Sequence, residues 1–137
     1  MNHITNNKLL LPIYFLIFFL AFTCKTKLYA QKSIQSIESN YKKAKDNTES
    51  KYDLAIQLTQ EYFKLDNQDE IYKIIDQNIQ IATKSNNYKY LTYFYSYKAF
   101  IAMSYDSSNN NINTYLSNAK KFSARTNDNE TIGFMHF

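Results

Sequence analysis

From residue 33 onward, apolar side chains recur at spacings of three and four, and short polar breaks interrupt them. That period lines one face of an α-helix. Ile34, Ile37, Tyr41 and Ala44 predict a first helix over 33–45, ended by Asp46-Asn47-Thr48. Thr48 is placed to cap a second helix running to about Leu65. Tyr52, Ala55, Ile56, Leu58, Thr59, Tyr62 and Phe63 give that helix a broad apolar face. After Asp66-Asn67, a third helix is predicted over 68–84, with Ile71, Ile74, Ile75, Asn78, Ile79 and Ala82 as its core stripe. Asp69 and Glu70 fall in its first turn and Lys84 in its last, which suits the helix dipole.

Beyond Ser85-Asn86-Asn87 comes the most aromatic stretch, 88–105. Leu91, Tyr93, Tyr95, Tyr97, Ala99, Ile101 and Met103 alternate there, as in a strand. The run is far longer than the usual strand of about five or six residues. A helix buried on more than one side is therefore expected. A polar loop over 106–111 offers several capping residues. A fifth helix over 112–124 then places Ile112, Tyr115, Leu116, Ala119 and Phe122 on one face. Asn127-Asp128-Asn129 breaks the chain again, and 131–137 reads as the first turns of a sixth helix.

Residues 1–30 follow a different pattern. Lys8 precedes an apolar run from Leu9 to Thr23, and a polar segment leads to Leu28-Tyr29-Ala30-Gln31. A positive end, a short apolar core and a small residue at the cut are the features of a secretory signal peptide. Cleavage between Ala30 and Gln31 is expected, which makes 31–137 a periplasmic or secreted domain with no membrane attachment. Two alternatives remain: an uncleaved membrane anchor, although the run is shorter than the about 20 residues a spanning helix needs, and a lipoprotein acylated at Cys24.

Removing the leader changes the composition. The net charge of +4 includes Lys8, Lys25 and Lys27. Residues 31–137 keep 13 of the 16 basic residues against all 12 acidic ones. Such a balance gives no electrostatic case for nucleic acid or an anionic membrane surface. Cys24 is the only cysteine, so the remainder has no disulfide and depends on its core. With Gly133 as its only glycine and no proline, it lacks the material for the tight turns of a sandwich or barrel. The fold class expected is all-α: stacked antiparallel helical hairpins joined by Asn, Asp and Ser.

An internal repeat supports the stacking. Leu54-Ala55-x-x-Leu58, Leu91-Thr92-x-x-Tyr95 and Ile132-Gly133-x-x-His136 each set a large residue before a small one near a helix start. Their offsets are 37 and 41 residues. These motifs resemble the tetratricopeptide repeat (TPR), with Tyr88 at its usual Trp position, Thr92 at its usual Gly, and Ile37-x-x-x-Tyr41-x-x-Ala44 similar to its second helix. The spacing exceeds the family's 34 residues, the closing Pro is absent, and 112–124 departs from the second-helix pattern. The resemblance implies a TPR-like α-solenoid of about two to three repeats over 31–137. The apolar end, Ile132 to Phe137, is expected either to be a short cap or to mark truncation of a longer protein.

Candidate chemistry is sparse. His136 is the only histidine after the leader, so neither a metal site nor a Ser–His pair has its parts. Asp69-Glu70 and Asp128-x-Glu130 read as surface charge near helix starts. A single glycine allows no phosphate loop. No enzyme activity, cofactor or metal is expected. Tyr90, Tyr93 and Tyr97 share one helix face and are the candidate binding residues, either as packing or as the lining of a groove that grips a peptide or glycan. The expected role is an exported protein- or peptide-binding module. It resembles the periplasmic sensor regions of Bacteroidetes histidine kinases and helix-turn-helix regulators, which implies a part in signal transduction. Alternatives are a glycan-binding module using the tyrosine face and an outer-membrane scaffold anchored through Cys24.

Overall fold

The computed structural model describes residue 31 and residues 33–126; the leader, its cleavage point and the predicted sixth helix lie outside them. The chain divides into two compact units, 1–36 and 37–137. Residues 33–36 of the first begin a helix that covers 33–43, here α1. All packing considered below lies in the second unit.

Four further helices follow: α2 (Glu49–Lys64), α3 (Gln68–Lys84), α4 (Tyr88–Tyr105) and α5 (Ile112–Ser123). No strand occurs among the described residues, and the fold is all-α. None of these helices is long and apolar enough to cross a membrane.

The turns explain how a chain with almost no glycine makes tight helical hairpins. Asp66 and Asn86 take left-handed backbone angles, φ 56° and 53°. Each sits just past the end of a helix, where glycine is most common. Short polar side chains tolerate that region better than other L-residues do. The amide of Asn67 reaches the Tyr62 carbonyl at 3.0 Å and that of Asp66 the Phe63 carbonyl at 3.1 Å. Asn87 to Ala82 at 2.9 Å and Asn86 to Thr83 at 3.2 Å repeat the arrangement. Both are Schellman closures. The residue that completes each closure also starts the next helix. Asn67 accepts from the Glu70 amide and Asn87 from the Tyr90 amide, both at 3.4 Å. Before α2, Asn47 also takes a left-handed φ of 60°, and Thr48 caps the helix by accepting from the Lys51 amide at 3.3 Å.

Consecutive helices pack as neighbours, α1 on α2 through Tyr41 with Lys51 and Glu38 with Tyr62, and the short turns between them make each antiparallel to the one before. Ion pairing of Lys98 with Asp76 joins α3 to α4, and Tyr88 and Tyr95 stack on Phe122 of α5. Helices α2 and α4 therefore run parallel. Leu58, Ile71, Ile75, Leu91, Phe94 and Ile101 are at most 1% exposed and form the core. Ala55 and Thr92, the small members of the repeated pairs, are fully buried. Thr92 satisfies its hydroxyl on the Tyr88 carbonyl at 2.9 Å.

Two expectations differ in detail. The first helix stops at 43 because Thr48 Oγ1 donates to the Lys45 carbonyl at 2.7 Å, which takes Lys45 into the turn. Leu116 stays 42% exposed although α5 buries Ala119 completely, since among the described helices α5 packs chiefly on α4.

Candidate functional site

The parallel pair α2 and α4 brings the tyrosine face into contact with a second helix. Side chains meet across it in a constant register. Asp53 faces Tyr90 and Gln60 faces Tyr97, each pair 37 residues apart. Phe63 faces Phe100 with the same offset, ring centroids 5.6 Å apart. This is the offset of the Leu54 and Leu91 motifs, carried into three dimensions.

The three sequence-predicted tyrosines have different surroundings. Tyr90 is only 5% exposed. Its ring stacks on Tyr52 at 4.2 Å and 22°. Its hydroxyl donates to Asp53 Oδ1 at 3.2 Å and Glu49 Oε1 at 3.4 Å. Burial, reinforced by those carboxylates, pushes the Tyr90 phenol well above its usual value. It is a wall of the core that carries a polar tip. Tyr93 is half-buried, its ring 6.1 Å from that of Tyr90. Tyr97 is half-buried, and its hydroxyl accepts from Gln60 Nε2 at 3.1 Å.

Beyond Tyr97, toward the C-terminal ends of both helices, α2 and α4 leave a hollow of about 230 Å³. Thr59, Gln60 and Phe63 line it from α2, and Tyr97, Phe100 and Ile101 from α4. Phe63 is 37% and Phe100 52% exposed, so two large apolar rings stand at its rim. Thr59 spends its hydroxyl on the Ala55 carbonyl at 2.9 Å. Lys64, also at the rim, is neutralised by Glu61 at 2.6 Å. The hollow is apolar with a single polar bridge, Gln60 to Tyr97.

Sequence reading missed Phe63 and Phe100 as site residues. Their signal was present: displacing the aligned repeat by 37 residues places Phe63 on Phe100 as surely as Leu54 on Leu91. No set of three or more His, Cys, Asp or Glu side chains among the described residues is arranged to hold a metal ion. Comparison with protein-family models, with curated proteins and with solved structures yields no match.

Proposed function

We propose that this chain is a helical-repeat binding module that takes a segment of a partner protein into the α2–α4 hollow and performs no chemistry on it. The observation that carries this reading is the hollow itself, apolar, open at Phe63 and Phe100, and set between two helices held in one register. Its volume lies below the about 300–1,000 Å³ of small-molecule pockets. It suits one large apolar side chain, Leu, Met or Phe, inserted as the anchor of a longer peptide. The parallel arrangement of α2 and α4 and the buried small residues Ala55 and Thr92 support a TPR-like α-solenoid of about two to three repeats. In this reading residues 1–30 export the module, and the bound partner is met in the periplasm or outside the cell. A sensor role in signal transduction extends the same reading, with the peptide as signal.

Panning a library of random displayed peptides against the purified chain tests it. The expected result is a family of peptides sharing one large apolar residue at a fixed place. Enrichment of no common residue, or of charged residues alone, would count against the proposal.

A further inference from the structure

The other side of α2 carries a second cavity of different chemistry. Helices α1 and α3 both run antiparallel to α2, and a cleft of about 360 Å³ opens between them. Its floor is apolar, formed by Ile74 (7% exposed), with the fully buried Leu58 behind it. One wall is α1, with Glu38 and Lys42 four residues apart. The other is α3, with Glu70, Lys73 and Gln77.

The charges are not evenly spread. Tyr62 donates its hydroxyl to Glu38 Oε1, and Glu70 acts on the same phenol, so both carboxylates lie near one end. Lys73 offsets Glu70 at 2.9 and 3.0 Å. Glu38 is then the remaining negative charge at that end. A Glu and a Lys placed in this order at i and i+4 ordinarily pair across a helix turn. Here Tyr62 holds Glu38 toward the cleft, and Lys42 has no ion-pair or hydrogen-bond partner among the described residues. Gln77 is exposed and also has none. The cleft thus has a negative end, an apolar floor, and a positive end with a free amide beside it.

From this arrangement we infer a binding site for a short zwitterionic peptide. Its ammonium group would meet Glu38, its carboxylate Lys42 and Gln77, and its apolar side chains would rest on Ile74. Length favours two residues. One helix turn from Glu38 to Lys42 rises about 6 Å, and two extended residues span at most about 7 Å. The volume falls within the usual range for small ligands. Burial, followed by the Glu38 and Glu70 carboxylates, raises the Tyr62 phenol well above its ordinary value, so it remains a donor to Glu38. This site is independent of the α2–α4 hollow.

The test is calorimetric titration of the purified full chain with L-leucyl-L-leucine. Saturable binding is expected, weakened tenfold or more by Lys42→Ala and by Glu38→Gln. Lys42 is on the surface, and glutamine keeps an oxygen to accept from Tyr62, so both variants retain the fold, as their unfolding midpoints will show. The doubly blocked N-acetyl-L-leucyl-L-leucine amide should give no saturable heat. Phe100→Ser, in the other cavity, should bind the dipeptide as the unmodified chain does. The inference fails if the dipeptide does not bind, if the blocked form binds equally well, or if Lys42→Ala is without effect.

Discussion

Asn78 shows what a single buried polar residue does to a helical core. Its side chain is 0% exposed, and its Nδ2 donates to the Tyr41 hydroxyl and to the Ile74 carbonyl, both at 2.8 Å. Its Oδ1 meets no partner among the described residues. The Tyr41 contact links α1 to α3 across 37 residues, so the amide fixes which turn of one helix lies beside which turn of the other. Tyr41 also receives the Lys51 ammonium over its ring at 3.8 Å, and Lys51 donates to the Tyr41 carbonyl at 2.7 Å. Removing only the hydroxyl, with Tyr41→Phe, should destabilise the chain by about 1–3 kcal/mol, because a buried donor loses its acceptor. Adding Asn78→Leu to that variant should recover much of the loss. A double-mutant cycle by chemical denaturation measures the difference. Additive losses would show that the pair does not act as a unit. Spacing alone places Asn78 in the core stripe but does not name its partner, since a period does not reveal which helix lies opposite.

At the level of elements, the hairpin turns were the part most open to reading. The breaks at Asp46-Asn47-Thr48, Asp66-Asn67 and Ser85-Asn86-Asn87 coincide with the turns because Asn and Asp are the residues left to take positive φ when glycine is missing. The bounds of α3 and α4 follow directly. Asn86→Ala should cost about 1 kcal/mol, a fall of roughly 4–8 °C in Tm for a domain of this size. Asn86→Gly should leave the midpoint unchanged or higher, since glycine takes φ 53° without strain. Thermal melts followed by circular dichroism decide the matter, and an equal loss for both variants would remove the backbone explanation. The faces of α4 were less legible. Apolar residues surround it, so spacing alone does not separate the side facing α2 from the side facing α5. Spacing groups Tyr90 with Tyr93 and Tyr97, and it does lie toward α2, but it stacks on Tyr52 inside the core. Tyr88 and Tyr95, both positions of the repeat motif, lie half-buried against Phe122 of α5.

For the whole molecule, the tyrosines set the response to alkali. Tyr62 and Tyr90 are both raised above their ordinary value, chiefly by burial and then by neighbouring carboxylates. Between the unfolded value of about 10 and their higher folded values, the folded chain keeps protons that the unfolded chain releases. Their contribution is therefore fully present below pH of about 10 and is lost as pH rises through that window. Unfolding titrations at increasing pH should show this decline, and the double variant Tyr62→Phe, Tyr90→Phe should flatten it. An unchanged slope in the variant would assign the alkaline loss to other groups.

The account as a whole rests on the α2–α4 hollow being the place where a partner's apolar side chain enters. The most direct measurement is the affinity of one selected peptide for the unmodified chain, for Phe100→Ser and for Leu116→Ser. Phe100 is at the rim of the hollow, while Leu116 is an exposed apolar residue on α5. The account predicts a loss of about tenfold or more for Phe100→Ser and none for Leu116→Ser. Equal affinities for all three proteins, or a loss confined to Leu116→Ser, would contradict it.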